Sequence, residues 1–553
     1  MTLHNSYHRP IDQRAPRWPV GTSGRVERRL CAVRPYAVWG VAVLLVAAGL
    51  RWLLACTAYL LPNSDQVMVG LMARHILAGE WLAFYWGQPY NGTLESWITA
   101  GIFRLFGPSY AALHVAPIFF SLLFVAAAMI LGYQLYGKHV ALLSGIYLAL
   151  GPALLQRFSV WPGYNYLEAM AFGTFALTLV LPMSQDRGWA RLPAAAFMLG
   201  LALWAQPVAI VYAPPIAVLL IGPAVATWRA GVARRRLLGA AGASLVALAL
   251  ALVPAIIYNL HAHPTTLGFL IGRPDNLHVP WYEEARRLLL WAAPVFTGLI
   301  PPTEDLNQFQ QFLAEYPLLY GLALALLAQG LWRLVRQRRT LLRWCRSLAT
   351  AHPAGEGALI TLAIALIGVY LFSTWGSSSW SATEPRYLLP LFTLTPLLIR
   401  ALFPPNPSRR RRLYGAAVAA IMLAGGLAAN ASAPRVADVQ RLATYLQARG
   451  DDAVYGDYWL VYRLAFVSNE RLIPVVLRPP LRLGLNRYLP YLQAGLRARR
   501  VAWGVQANSV TEHALLRCLE RHHITFQLRT FHMGPDRWVI VDRLSTAARC
   551  LSR

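Results

Sequence analysis

Long apolar runs separated by short polar loops recur along most of this chain, and they leave few folds open. A helix needs roughly 20 predominantly apolar residues to cross a bilayer. Runs near that length lie at Tyr36–Leu61, 113–133, 138–156, 167–183, 191–205, 207–227, 236–259, 316–334, 357–375, 387–403 and 413–430. With 57% hydrophobic and only 14% charged residues across 553 positions, a soluble globular chain is excluded. The pattern predicts a polytopic α-helical membrane protein of about eleven transmembrane helices.

The net charge of +27 could signal a nucleic-acid partner. Its distribution argues against one. Lys138, Arg187, Arg191, Arg229, Arg234 to Arg236, Arg333 to Arg346 and Arg409 to Arg412 all fall in loops of one side. Asp65, Glu95, Asp275, Glu283, Glu284, Glu304, Asp305 and Glu384 fall on the other. This is the positive-inside pattern of a multi-pass protein of the cell (inner) membrane. It predicts a cytoplasmic N-terminus and, with an odd number of spans, an extracytoplasmic C-terminus. The apolar stretch at 287–302 is short and Pro-bounded, and is read as re-entrant or interfacial.

Three regions follow: a disordered basic cytoplasmic arm over 1–35, a transmembrane domain over 36–430 with outer loops at 62–112 and 260–315, and an extracytoplasmic domain over 431–553. In the last, short β-branched runs at 453–456, 471–477, 500–505 and 538–542 alternate with helical patterns at 457–467, 484–498 and 511–523. That is a small α/β domain. The aromatic run Gly456-Asp457-Tyr458-Trp459 with Tyr462 and Arg463 is a candidate acceptor-facing surface, and Asp451, Asp452 and Asp457 read as turn or cap residues. Cys518 and Cys550 in this domain either pair or remain two thiols.

The first outer loop carries the densest chemistry. Pro62 stops the first span, Asn63 or Ser64 can cap a new helix, and Asp65 falls in its first turn. Val67, Met68, Leu71, Met72 and Ile76 follow at helical spacing up to Gly79, which predicts an amphipathic helix in the interface plane. Trp81, Phe84, Tyr85, Trp86, Tyr90 and Trp97 read as an aromatic belt at headgroup depth. A second helix begins near Thr93 with Glu95 in its first turn. A carboxylate near a helix N-terminus is held ionised by the helix dipole, and an ionised carboxylate can take a proton from a hydroxyl. From spacing alone, Asp65 reads equally as such a base or as an ordinary first-turn acid.

The pattern Asp65…Ala73-Arg74…Ala78-Gly79-Glu80-Trp81…Asn91-Gly92…Leu94-Glu95…Trp97…Leu105-Phe106-Gly107 resembles the first outer loop of GT-C superfamily membrane glycosyltransferases, the protein O-mannosyltransferase and aminoarabinose transferase group. The stretch Glu384-Pro385-Arg386-Tyr387-Leu388-Leu389-Pro390 resembles that group's Pro-Arg-Tyr motif. The resemblance spans roughly residues 36–400. It implies a transfer, with inversion, from a polyprenyl-phosphate sugar donor to a hydroxyl acceptor on a glycan, lipid or protein at the outer face. It implies Asp65 as catalytic base and Arg386 as support for the donor phosphate, Arg being suited to phosphate by its forked planar donors. Two departures stand out: Gln66 where many members carry Glu, and Glu95-Ser96-Trp97 where relatives carry Glu-Lys-Pro-Pro.

Candidate substrate contacts are therefore Glu95, Arg386, Tyr387, Arg74, Tyr164 and Asn165, with Arg157, Trp161 and Tyr166 completing the second outer loop. The Gly- and Ser-rich segment 376–381 reads as a mobile lid. No cofactor is expected. His261 and His263 near Asp275, Glu283 and Glu284 lack metal-site spacing, which leaves a divalent metal as the minor alternative. No Walker A, dinucleotide-binding or nucleotide-sugar motif is present. A lipid-linked sugar flippase, and a glycan ligase or polymerase using a diphosphate-linked donor, remain the alternative functions.

Overall fold

The computed structural model describes residues 23–403, 409, 413 and 437–551, apart from 58, 183–187, 232–233, 263, 272–278, 303–305, 337–354, 374–384, 534–535 and 545–549. Among them, four helices are long and apolar enough to cross a membrane: Tyr36–Cys56, Tyr110–Tyr136, Pro207–Ala230 and Gly355–Phe372. The pair Arg234–Ala251 and Val253–His261, bent by 62°, makes a fifth if it is one span. Several expected spans are shorter apolar helices, Lys138–Leu150, Tyr166–Val180 and Leu192–Ala205. Gly151-Pro152 ends the first of these, since proline cannot continue the backbone ladder. The expected span at 387–403 is a 3-10 helix, Arg386–Leu394, that contains Pro390 and passes into the short helix Thr395–Leu402. The last expected span, 413–430, lies outside the described residues but for Leu413. The stretch 287–302 forms short pieces, Leu288–Ala292 and Ala293–Phe296, rather than a span.

The first helix, α1, runs Ser23–Cys56. It begins inside the arm expected to be disordered and ends before Leu61. Extending an existing helix costs far less than nucleating one, so the apolar span carries its basic lead along. Arg51 sits within α1, 1% exposed. It donates to Ala149 O at 3.1 Å and Leu148 O at 3.0 Å, using a charge inside the span to satisfy carbonyls at the end of Lys138–Leu150.

The helix after Pro62, α2, runs Ser64–Leu77. Its start is a capping box: Gln66 N–H donates to Asn63 Oδ1 at 3.0 Å, and Asn63 N–H donates to Gln66 Oε1 at 3.0 Å. Gln66 is thus spent on the backbone, a task an amide performs as well as a carboxylate. Past Gly79 come a two-stranded hairpin, β1 (Phe84–Tyr85) and β2 (Gln88–Gly92), and then helix α3 (Leu94–Phe106).

The C-terminal domain is a mixed sheet flanked by helices. It contains β3 (Ala453–Gly456), β4 (Ile473–Arg478), β5 (Arg482–Leu483), β6 (Val501–Gln506), β7 (Gln527–Met533) and β8 (Asp536–Leu544), in spatial order β5-β4-β3-β6-β8-β7. Strand β3 pairs in parallel with β4 and β6, and the other pairings are antiparallel. The expected strands correspond to β3, β4, β6 and β8. A helix at Ala437–Arg449 and strands β5 and β7 add to them. Cys518 and Cys550 form a disulfide.

This domain does not stand apart. Val67, Met68, Leu71 and Met72 of α2 share one buried core with Leu442, Leu446, Val461, Leu464 and Phe466. The helix expected to lie in the membrane interface is instead enclosed by protein. The aromatic belt is corrected likewise. Phe84, Tyr85, Trp86 and Tyr90 are buried, and Trp86 stacks on Tyr488 of the C-terminal domain at 4.1 Å, whereas Trp81 and Trp97 stay exposed. Polar contacts reinforce the seam. His75 bridges Glu80 at 2.7 Å and Glu470 at 2.9 Å. Burial pulls the imidazole down, but the two carboxylates outweigh it and hold its pKa above the ordinary histidine value.

The seam is close at Gly70, where an added Cβ would lie 2.5 Å from the Phe466 ring and 2.8 Å from Leu113. Phe466 is itself held between Tyr110 and the Arg74 guanidinium. Gly70→Ala is therefore expected to destabilise the protein by about 1–3 kcal/mol through overpacking. Gly101→Ala, where nothing lies within 4 Å, leaves the melting temperature unchanged or raised. Melting curves of the two purified variants compare them directly.

Candidate active site

A cavity of about 180 Å³ opens where the first outer loop, the second outer loop, the Arg386 segment and the C-terminal domain meet. It is lined by Asp65, Tyr85, Gln88, Tyr90, Asn91, Gly163, Tyr164, Tyr166, Gln206, Arg386, Tyr387 and Arg487. Asp65, Tyr164, Arg386 and Tyr387, proposed from sequence, are brought together here. The hairpin, unforeseen from sequence, adds Tyr85, Gln88, Tyr90 and Asn91.

The capping box at Asn63 fixes the first turn of α2, and with it Asp65. Two groups of the C-terminal domain reach the same carboxylate oxygen. Tyr458 donates its hydroxyl to Asp65 Oδ1, and Arg487 Nη2 donates to Oδ1 at 3.1 Å. Arg487 Nε also donates to the Tyr458 hydroxyl at 2.6 Å. Burial and the adjacent Asp65 push the Tyr458 phenol far above its ordinary range, so it stays protonated and donates. Burial lowers the Arg487 pKa, but Tyr458 and Asp65 outweigh it, and the guanidinium stays charged. Tyr85 donates its hydroxyl to the Asp65 backbone carbonyl.

Across the cavity, Arg386 lies over the rings of Tyr164 and Tyr387, 5.9 and 5.5 Å from their centroids. Such contacts engage the face of the guanidinium. Its forked in-plane donors are the ones that suit an anion. The remaining walls are phenol rings and amides, a surface that can stack on a sugar ring and bond its hydroxyls.

Below the lining lies a scaffold. Asn165, in the left-handed region at φ 55°, donates to Asn91 Oδ1 at 3.0 Å and to the Gly92 carbonyl. Asn91 donates to Gly163 O at 2.9 Å, and Gln206 to Tyr164 O at 3.2 Å. Gly163, at φ +88°, packs so closely on α2 that a Cβ would lie 3.2 Å from the Asp65 carbonyl. Its N–H donates to Glu95 Oε2 at 2.7 Å. Glu95, expected to contact substrate, is 3% exposed and sits behind the lining as the acceptor for this turn. Burial pushes its carboxyl up to about 8, against the opposing pull of the Gly163 N–H.

Arg74 is elsewhere. It donates to Phe466 O at 3.0 Å and Asn469 Oδ1 at 2.8 Å, so it fastens the C-terminal domain rather than lining the cavity. Asp457 caps the helix Tyr458–Val467 by accepting from Trp459 N–H at 2.8 Å. Among the described residues, no three His, Cys, Asp or Glu side chains gather as metal ligands. His261 bonds back to Ile257 O at 2.9 Å, while Glu283 and Glu284 pair with Arg286 and Arg287. His263, Asp275, Glu384 and the segment 376–381 lie outside the described residues.

No protein-family model matches the chain, and no curated protein matches it. Solved structures do. Crystal structures of ArnT from Cupriavidus metallidurans superpose with TM-scores of 0.56 in the apo state and 0.57 bound to undecaprenyl phosphate. Both share 14% identity over 93% of this chain and 99% of theirs. The archaeal oligosaccharyltransferase AglB from Archaeoglobus fulgidus, in complex with an inhibitory peptide and a dolichol-phosphate, matches at TM-score 0.46 and 14% identity, over 84% of this chain and 69% of that one. The chain thus has the fold of ArnT, a polytopic helical membrane fold.

Glu95 gives a test of the scaffold. With its pKa raised from 4.5 to about 8, the folded state holds a proton that the unfolded chain releases. Stability therefore falls as pH rises through that window. Glu95→Gln keeps an acceptor for Gly163 and is expected to fold normally with a flatter pH dependence between about 4.5 and 8. Glu95→Ala strands the Gly163 N–H and costs about 1–3 kcal/mol. Thermal melts of the three proteins across that pH range check both statements.

Proposed function

We propose that this chain is a membrane glycosyltransferase that moves a sugar from a polyprenyl-phosphate donor to a hydroxyl of a glycan, lipid or protein acceptor at the outer face of the inner membrane. The observation that carries this reading is that Asp65 and Arg386, distant in sequence, line one cavity beside phenol and amide groups. The ArnT fold supports it, and one solved ArnT structure is bound to undecaprenyl phosphate. Positive-inside charge places the basic loops in the cytoplasm, which puts this cavity and the C-terminal domain on the opposite face.

In the reaction, Asp65 takes the proton of the acceptor hydroxyl as that oxygen attacks the anomeric carbon. The new glycosidic C–O bond forms as the bond from that carbon to the phosphate oxygen breaks. The electron pair leaves with the polyprenyl phosphate. Arg386 offsets the negative charge that grows on the phosphate, an interaction stronger in the transition state than in the ground state. Attack from the face opposite the phosphate inverts the anomeric centre. Tyr164, Tyr387 and the amides orient the sugar. The hydrocarbon tail lies among surrounding membrane lipids, and the chemistry as written uses no resident cofactor.

The test is transfer by purified protein in lipid, using monophosphate- and diphosphate-linked sugar donors. Asp65→Asn is expected to lower kcat about 10²- to 10⁴-fold, the range of a general base. Arg386→Gln raises the donor KM and lowers kcat. Wild-type transfer by folded Asp65→Asn would remove the base assignment. Labelled lipid crossing the bilayer without covalent product would point to a flippase, and use of the diphosphate donor alone to a ligase.

A further inference from the structure

We infer that the C-terminal domain is a working part of this site, and that Arg487 is a positioning residue acting through Asp65. The inference rests on Asp65 being the base proposed above. Arg487 and Tyr458 hold the carboxylate by Oδ1 alone; among the described residues, Oδ2 receives no hydrogen bond. One oxygen is fixed and charge-compensated, and the other is left to take the acceptor proton.

The holding groups are themselves held. The Arg487 guanidinium lies between the Tyr85 and Tyr458 rings, 5.7 and 5.3 Å from their centroids. Its backbone N–H donates to the Tyr462 hydroxyl at 2.8 Å. Ser64, next to Asp65, donates its hydroxyl to the Tyr458 carbonyl at 2.6 Å. The Arg487 side chain is only 8% exposed, against 25% for Asp65. A buried fork with fixed partners aims a charge at one point, the arrangement a positioning role requires.

Attachment of the domain does not need this pair. The apolar core around Phe466 and the contacts of Arg74 and His75 with Glu470 already join the two parts. An ion pair there only for adhesion has no reason to line the cavity, yet both its members do. Arg487 belongs to no sequence motif, and it lies in the loop before the helix Leu489–Arg497, which starts later than the helical pattern read from 484.

The experiment is steady-state transfer by the full chain in lipid, with donor concentration varied, for Arg487→Gln, Arg487→Lys, Tyr458→Phe and Asp65→Asn. Arg487→Gln is expected to lower kcat about tenfold to hundredfold with donor KM within about twofold, the signature of a group acting on the chemical step. Arg487→Lys, which keeps charge but loses the fork, recovers part of that loss. Combined with Asp65→Asn, the Arg487→Gln change costs nothing further, because both act through one carboxylate. Unchanged kcat in Arg487→Gln overturns the inference. So does a rise in donor KM like that of Arg386→Gln, which would make Arg487 a donor-binding residue. A full additive loss on the Asp65→Asn background overturns it as well. If Arg487→Gln fails to fold, Tyr458→Phe decides: it keeps the guanidinium, removes one bond to Oδ1, and is expected to lower kcat severalfold, whereas full activity refutes the positioning role. Retained transfer by Asp65→Asn sinks the base reading itself; an inactive Asp65→Asn beside a fully active Arg487→Gln sinks only this inference.

Discussion

The apolar seam between α2 and the helix Tyr458–Val467 is the contact on which the rest of this structure depends. It joins the segment directly after the first membrane helix to a domain that begins more than three hundred residues later, and the cavity lies at its edge. Burial of Val67, Leu71, Leu464 and Phe466 is nondirectional and supplies attraction. It does not set angle or register. Those come from polar contacts around it: Ser64 on the Tyr458 carbonyl, Arg74 on the Phe466 carbonyl, and His75 between two carboxylates. Close packing at Gly70 then leaves little room for the two parts to slide.

What could be read from sequence was what depends on near neighbours. The cap at Asn63, the stop at Gly79, the first-turn placement of Asp65 and the alternation of short strands and helices after residue 450 all rest on residues within a turn or two. The strands missed, β5 and β7, lie at the two edges of the sheet, where one-sided pairing gives the weakest pattern. Arg487 was not legible because its partner lies 422 positions away. Nothing local distinguishes it from the other arginines of a very basic chain.

The aromatic loop shows a different limit. Trp86 and Tyr85 fit a headgroup belt by composition, yet they are buried against Tyr488 and Asp65. Both environments ask for a large apolar ring with a polar tip. Sequence alone cannot say whether lipid or protein covers such a ring. The same ambiguity affected α2, whose apolar positions suit a membrane surface and a protein core equally well. Gln66 is a separate case, since its amide closes the capping box with Asn63 and is spent on the backbone.

The charges at the cavity fit together with the buried acids behind it. The lining carries two guanidinium groups and one carboxylate, and that carboxylate is already paired with Arg487. Arg386 is the other guanidinium of the lining, and it lies over the rings of Tyr164 and Tyr387. Glu95 lies behind the lining, where burial pushes its carboxyl up to about 8 and it accepts from the Gly163 N–H. One acid accepts from two donors of the C-terminal domain at the lining, and the other is buried behind it, away from water. Two carboxyl groups in one loop are thereby given different work, the separation of roles that environment imposes on paired acids.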